Sequence, residues 1–154
     1  MADPKEQGCE VKDVNYFLRE REGFLVSTDP LLLDFDRVFQ FLADANWWTE
    51  LTPQSLERAL RNSLCFSLVE GDQQIGMARV ITDFVTYAYL CDVFITKERR
   101  KRGLGSWLVQ CVLEHPDIRN LKRVALITHD AQELYRRIDF NFLPDCNRYM
   151  ERLQ

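Results

Sequence analysis

The sequence lacks several features that would place it in a particular class of protein. No apolar run approaches the roughly 20 residues that a membrane-spanning helix needs. Residues 1–8 contain no apolar signal core, so we expect a cytoplasmic protein, with the nucleus as an alternative, and no membrane partner. The five cysteines form no CxxC pair, and there are only two histidines. Cys111 and His115 could share a helix face, but no second ligand pair follows, so we expect no metal site.

The length and the net charge of the chain restrict the class of protein further. The 154 residues carry a net charge of −4, and the pI of about 5.2 disfavours a nucleic-acid partner. A content of 46% hydrophobic and 29% charged residues is typical of one compact domain that buries a core. We predict a loosely held N-terminal arm over residues 1–22 and one domain over residues 23–154.

Hydrophobic periodicity predicts a sheet that helices cover. The order of elements is β-α-α-β-β-β-α-β-α-β, which indicates one α/β or α+β domain. Apolar residues at helical spacing predict a helix over 35–42, and Thr52-Pro53 should start the next helix. The strand over 88–96 is nearly continuously apolar, so both of its faces should be covered. A capping box is expected at 130–133, and residues 140–143 and 147–153 should add one or two edge strands.

The most informative segment follows the apolar strand. Arg99-Arg100-Lys101-Arg102 leads into Gly103-Leu104-Gly105 and then directly into a predicted helix. Such a turn presents unpaired N–H groups at the positive end of the helix dipole, where glycine permits close approach to an anion. Local positive charge in an acidic chain suits a phosphorylated small ligand, although a solvated basic turn is the alternative interpretation. The spacing is that of neither a P-loop nor a Rossmann fingerprint.

Two motifs together point to a known family. The segment Arg100-Lys101-Arg102-Gly103-Leu104-Gly105 resembles the R/Q-x-x-G-x-G/A motif of the GCN5-related N-acetyltransferase (GNAT) superfamily, and residues 134–140 are similar to its L-Y-x-x-x-G-F motif. The resemblance implies a single GNAT-type domain of the α/β (α+β) class, with a mixed, mostly antiparallel central sheet of about six to seven strands and about four flanking helices. Asp139 replaces the family's usual glycine, and Asp tolerates the left-handed backbone that this site often needs. Lys97 stands where many relatives have proline.

The resemblance also implies acetyl-CoA as a cosubstrate and assigns residues to it. The main chain of Val93, Phe94 and Ile95 would pair with the pantetheine arm. The N–H of Phe94 or of a strand neighbour would stabilise the oxyanion. The pyrophosphate would be held by one continuous loop, which consists of Arg100, Lys101, Arg102, Gly103, Leu104, Gly105 and Ser106.

Two side chains are candidates for catalytic proton transfer. Helical spacing places Tyr135 on an inward face, and the family resemblance implies that it protonates the departing CoA thiolate; a core aromatic is the alternative. Asp92 lies in an apolar strand, where an unpartnered carboxylate would be costly to bury. We predict that Asp92 either accepts the proton of the acceptor ammonium or pairs with Arg79.

The remaining polar and aromatic residues receive lesser roles. Asp83 is expected in a loop near the acceptor entrance, and Trp47 and Trp48 are candidates for the wall of the acceptor pocket. We interpret His129 as an exposed or structural residue, and Cys91 as a packing residue rather than a nucleophile.

The sequence thus predicts an acetyl-CoA-dependent N-acetyltransferase that moves an acetyl group directly to a primary amine of a small molecule, without a metal. The excess of acidic residues gives a weak electrostatic preference for a cationic acceptor. A peptide or protein amine as acceptor and a non-catalytic acyl-CoA-binding module are the alternatives. A homodimer is left open.

Overall fold

Within the described part of the chain, six strands form one sheet whose spatial order follows the chain. The computed structural model describes residues 15–153. The strands are β1 (Leu18–Arg21), β2 (Phe24–Ser27), β3 (Leu64–Glu70), β4 (Gln73–Thr82), β5 (Ala88–Ile95) and β6 (Val124–Leu126). Neighbouring strands are antiparallel except β5 and β6, which are parallel. The predicted mixed, mostly antiparallel sheet is confirmed.

Helices cover both faces of this sheet. Over residues 15–153 the α-helices are α1 (Phe35–Ala45), α2 (Pro53–Arg61), α3 (Leu104–Glu114) and α4 (Gln132–Arg136). Short 3-10 turns lie at Pro30–Leu32, Lys97–Arg99 and Cys146–Arg148. The predicted start of α2 is confirmed, because the Thr52 side chain accepts from the Ser55 N–H and Pro53 occupies the first helical position.

The core consists of two clusters, one on each face of the sheet. On the α3 side, Phe66 of β3 packs with Leu104 and Leu108. On the α1/α2 side, Leu42 and Leu56 are among the buried residues that pack against β4 and β5. Full burial of such side chains contributes about 1.5–3 kcal/mol each, which fixes β4 and β5 between two helical layers. No residue of β5 is exposed, so the predicted cover on both of its faces is confirmed.

The end of the predicted N-terminal arm belongs to the sheet instead. Residues 1–14 lie outside the described part of the chain, but Leu18–Arg21 pair with β2 along the whole of β1. The aromatic ring of Phe17 is buried against Phe66, with ring centroids 5.9 Å apart. The sequence of β1 is polar, so hydrophobic periodicity does not predict this strand. An edge strand that one neighbouring aromatic residue anchors needs little apolar surface of its own.

Two expectations for the C-terminal part are wrong. No strand forms between residues 140 and 153; short-range hydrogen bonds form there instead, such as that from the Asn147 N–H to Asp145 Oδ1. Local side-chain acceptors of this kind compete with strand pairing. The capping box is also absent: the N-cap of α4 is Ala131, which makes no side-chain cap. The left-handed backbone expected at Asp139 is confirmed, with φ of 68°.

Candidate active site

The turn between β5 and α3 presents main-chain N–H groups at the start of an 11-residue helix. Gly103 is the N-cap of α3, with φ of 73°, and no side chain caps the helix there. The Trp107 N–H donates to the Gly103 carbonyl, so the N–H groups of residues 104–106 have no acceptor within the helix. Together with the helix dipole, such free N–H groups are suited to binding an anion.

Gly105 allows α4 to pack closely against this turn. A Cβ atom at Gly105 would lie 3.3 Å from Leu134 Cδ1 and 3.8 Å from Ile95 Cγ1. A side chain at this position would therefore require the Leu134 side chain of α4 to shift by a few tenths of an ångström. The two motifs that the sequence analysis singled out meet at this contact.

The basic residues of the turn differ in what they contact. Arg99 Nε lies 2.5 Å from Glu70 Oε2, in an ion pair that leaves each side chain about one third exposed. Arg100 Nε donates to the Ile95 carbonyl at 3.0 Å, and the Arg102 guanidinium lies over the Phe24 ring. Glu70 therefore offsets the charge of Arg99, which is the first of the four basic residues that the sequence places at this turn.

More than half of one edge of β5 has no strand partner in the described part of the chain. On one side β5 pairs with β4 as far as Ile95. On the other side it pairs with β6 only over residues 88–90. Residues 91–95 therefore have an edge without a strand partner, which runs towards the start of α3. We call the space beside this edge the cleft. An extended ligand can bind such an edge through strand-type hydrogen bonds.

The pairing of β5 with β4 determines which N–H groups face this cleft. The Thr96 N–H donates to the Ile75 carbonyl of β4 at 2.8 Å. Because alternate residues of a strand point to opposite edges, the Phe94 N–H faces β4 and the Ile95 N–H faces the cleft. Of the expected oxyanion donors, this geometry favours a strand neighbour over Phe94 itself.

A β-bulge marks the start of the unpaired edge. Asp92 and Val93 of β5 lie opposite the single residue Ala78 of β4, and Asp92 has φ of 49°. Such a bulge bends the strand and turns a side chain in a new direction.

The Asp92 carboxylate joins a buried cluster of polar side chains on the α1/α2 side. Arg79 Nε donates to Asp92 Oδ2 at 2.6 Å, and Trp48 Nε1 donates to Asp92 Oδ1 at 3.1 Å. The side chains of Arg79 and Asp92 are 9% and 7% exposed. Arg79 Nη1 also donates to Ser63 Oγ at 3.0 Å. The pairing with Arg79, which the sequence left as an alternative, is thus observed.

Tyr135 lies on α4, beside the start of α3. Its ring packs edge-on against Phe140 with centroids 5.7 Å apart, and it contributes to the α3-side cluster. Among residues 15–153, no hydrogen-bond partner meets its hydroxyl. Burial, with a smaller effect of the Asp130 charge, raises the pKa of Tyr135 to about 12. The phenol therefore carries its proton at neutral pH.

Other candidates occupy structural positions. Asp83 accepts from the N–H groups of residues 85–87 in the loop between β4 and β5, and its hydrogen bonds with Thr86 hold its pKa well below the usual range. His115 is buried at the C-terminal end of α3, and this burial lowers its pKa. His129 is exposed, and burial raises the pKa of Cys91 to about 12, which matches its interpretation as a packing residue.

A groove beside the Arg79 cluster was not found from the sequence. It has a volume of about 680 Å³ and lies between α2 and the sheet. We call it the α2 groove; its lining includes Gln54, Arg58, Asn62, Ser63, Arg79 and Ile81. The available clue was the polar face of α2, where residues 54, 58 and 62 recur at helical spacing.

Two kinds of feature are absent from residues 15–153. No group of three or more His, Cys, Asp or Glu side chains is placed to hold a metal ion. None of the helices is both long enough and apolar enough to span a membrane.

Comparisons with known proteins agree with this geometry. The sequence profile described as "Acetyltransferase (GNAT) family" matches residues 32–140. A Gibberella zeae protein named "Putative acetyltransferase" is 37% identical over 136 residues, which cover 75% of this chain and 77% of that protein. A crystal structure from Xanthomonas campestris, described as a "putative acetyltransferase belonging to the gnat family", is 39% identical. It aligns with a TM-score of 0.81 over 85% of this chain and 93% of that chain.

A more distant structure shares the fold. An acetyltransferase from Clostridium acetobutylicum, solved with acetyl-CoA, is 16% identical and aligns with a TM-score of 0.61 over 90% of this chain and 95% of that chain. The profile match and the two closer relatives show that the chain belongs to the acetyltransferase (GNAT) family. Membership confirms the predicted resemblance and supports acyl transfer in general.

Proposed function

We propose that the protein is an N-acetyltransferase that transfers the acetyl group of acetyl-CoA directly to a primary amine of a small molecule. One observation carries this proposal: the unpaired edge of β5 leads into the uncapped start of α3 across Gly103. A chain of amide groups ending in a diphosphate matches such a site, because strand-type hydrogen bonds and then helix N–H groups follow one another.

Different residues of the cleft bind different parts of acetyl-CoA. The main chain of residues 93–95 binds the pantetheine arm, and the N–H groups of residues 103–106 bind the diphosphate. Arg100, Lys101 and Arg102 are exposed and add positive charge around the phosphates. The diphosphate site thus relies on main-chain donors, and the arginine and lysine side chains supplement them.

The reaction needs a proton donor for the leaving group. As the amine nitrogen bonds to the thioester carbonyl carbon, the carbon–sulfur bond breaks and the sulfur leaves as a thiolate. Tyr135 supplies a proton to that sulfur, and solvent restores the phenol. The position of Tyr135 on α4, beside the start of α3, supports this role. Burial raises the pKa of Tyr135 to about 12, so the phenol keeps its proton at neutral pH but is a weaker acid than a free tyrosine.

The role of Asp92 is a choice between base and positioning residue. Both of its carboxylate oxygens already accept hydrogen bonds, from Arg79 and from Trp48. We propose on this ground that Asp92 positions these two side chains, and that the proton of the acceptor amine leaves by a water molecule. Alternatively, Asp92 accepts this proton from the water and acts as the base. The variant Asp92→Asn tests this alternative, because an amide cannot accept the proton.

The acceptor is assigned to the α1/α2 side, where the α2 groove adjoins the β5 bulge through Arg79. Its volume, about 680 Å³, suits a small molecule. A peptide or protein amine is the alternative acceptor, and a non-catalytic acyl-CoA-binding module the alternative function. The cytoplasmic location, the homodimer and a mechanism without a metal stay predictions.

The test is release of the CoA thiol from acetyl-CoA in the presence of a panel of primary amines. We expect release with the wild-type protein and a kcat about 100-fold lower for Tyr135→Phe, a typical loss for a positioned acid. Tyr16→Phe, at an exposed tyrosine far along the chain, is the matched control and should keep the wild-type rate.

Binding and turnover separate the alternatives. CoA should raise the melting temperature of the wild type and of Tyr135→Phe equally, because binding does not need the phenol. A rise in melting temperature without thiol release from any amine would indicate the binding module. No rise at all would exclude both.

A further inference from the structure

The α2 groove has a charge opposite to that of the whole chain. The protein has a net charge of −4. Yet the charged side chains in the lining of the groove are those of Arg58 and Arg79, and no carboxylate lines it. The Asp92 carboxylate offsets the charge of Arg79 from behind, which leaves one positive charge in excess, on Arg58.

Arg79 is held with part of its guanidinium free. Its Nε donates to Asp92 and its Nη1 to Ser63 Oγ, while among residues 15–153 no acceptor meets Nη2. Ser63 is itself fixed, because its Oγ donates to the Ala59 carbonyl at 2.8 Å. The side chain is 9% exposed and lines the groove, so a buried and oriented donor faces the space between α2 and the sheet.

The groove adds further polar groups on one side of α2. Arg58 and Asn62 lie one helical turn apart, and Asn62 Nδ2 donates to the Arg58 carbonyl at 2.7 Å. That bond fixes the amide so that its oxygen stays free. Because Arg79 is opposite Cys91 in the sheet, the groove lies next to the bulge that begins the cleft edge of β5.

We infer that the acceptor amine carries a carboxylate, which binds in the α2 groove between Arg79 Nη2 and Arg58. Two arginine donors with one excess positive charge match a single negative charge, and charge-assisted hydrogen bonds to a guanidinium fix a carboxylate in one orientation. The amine then points from the groove towards the β5 bulge. The local charge thus reverses the preference for a cationic acceptor that the overall composition gave. This inference rests on the proposed transfer to an amine.

The test compares short α- and ω-amino carboxylates with their carboxamides, each pair having the same carbon chain. The ratio of kcat/KM for the carboxylate to that for the carboxamide is measured at saturating acetyl-CoA. We expect this ratio to exceed about 10 for the best pair, since one charge-assisted hydrogen bond is worth roughly that factor or more. In Arg58→Gln the ratio should fall about tenfold, through a higher KM for the carboxylate.

The matched control is Arg61→Gln on the same helix. Arg61 pairs with Glu57 at 2.7 Å, and its side chain is 77% exposed. The substitution Arg61→Gln therefore removes the same charge from α2 as Arg58→Gln does, but it leaves the lining of the groove unchanged. The ratio should keep its wild-type value in this variant. Comparison of this ratio between variants cancels the different basicities of the two amines, because the same two amines are used with every variant.

A readout without turnover accompanies the kinetics. Calorimetric titration of the N-acetylated carboxylate into the protein with CoA should give weaker binding for Arg58→Gln than for Arg61→Gln. A ratio of about 1 or less for every pair in the wild type, or equal effects of the two variants on the ratio, would overturn the inference and leave the proposed transfer intact. Absence of thiol release with every amine would instead overturn the proposed transfer, and this inference with it.

Discussion

The two sides of β5 take their hydrogen-bond donors from different parts of the chain. On the cleft side the donors are main-chain N–H groups, which Gly103 and the unpaired edge of β5 expose. On the α1/α2 side the donors are the side chains of Arg79 and Trp48, which the buried Asp92 carboxylate holds. A main-chain site depends on backbone conformation and tolerates changes of side chain, whereas the side-chain cluster depends on charge pairing and does not.

The largest effect is expected from breaking the charge pair. Arg79→Met leaves the Asp92 carboxylate buried without its counter-charge, which should lower the free energy of unfolding by about 3–5 kcal/mol. Urea unfolding measures this change. The double variant Arg79→Met, Asp92→Asn should regain most of the loss, because no charge then remains buried. If the double variant instead lost as much stability as the two single variants together, the pair would not be coupled, contrary to its 2.6 Å contact.

A smaller effect is expected from changing the backbone of the main-chain site. Gly103 has φ of 73° and Gly23 has φ of 83°, and a Cβ atom at either position would meet nothing within 4 Å. Alanine should therefore cost about 1–2 kcal/mol of stability at each, from left-handed strain alone. The rise in melting temperature on adding CoA should shrink in Gly103→Ala only. An equal rise in both variants would contradict the assignment of the α3 start to the diphosphate.

The smallest effect is expected within the basic run. Arg99→Gln removes an ion pair whose side chains are 35% and 33% exposed, so solvent screening limits the loss of stability to less than about 1 kcal/mol. Its affinity for CoA, measured by calorimetry, should stay near the wild-type value. Arg100→Gln should weaken CoA binding, because Arg100 has no carboxylate partner among residues 15–153. Equal affinities for the two variants would contradict this division of the run.

Local patterns predicted most of the fold because the physics behind them is local. The apolar spacing of α1, the cap of α2 at Thr52 and the left-handed backbone at Asp139 each depend on a few adjacent residues. The strand β1 was missed because its burial comes from packing of Phe17 against a distant strand. The expected strands in residues 140–153 failed because local hydrogen bonds compete with pairing there.

The candidate site also has one part that the sequence predicts and one part that it does not. The glycine turn and the strand before it are contiguous in sequence, so a motif predicts them together. The α2 groove joins Arg58 on a helix with Arg79 on a strand, and no short pattern connects them. No sequence pattern indicated Ser63, because its role is to accept a hydrogen bond from Arg79, which lies on the later strand β4.

The order of residues alone indicated the family, most of the helices and strands, and the glycine turn before α3, because glycine conformations, helix ends and apolar periodicity act over a few positions. Tertiary structure alone decided which charges are paired. Burial makes an ion pair such as Arg79–Asp92 strong and leaves Arg58 with its charge in the α2 groove. The dielectric surroundings of a charge come from the packing of distant segments, which the sequence does not display.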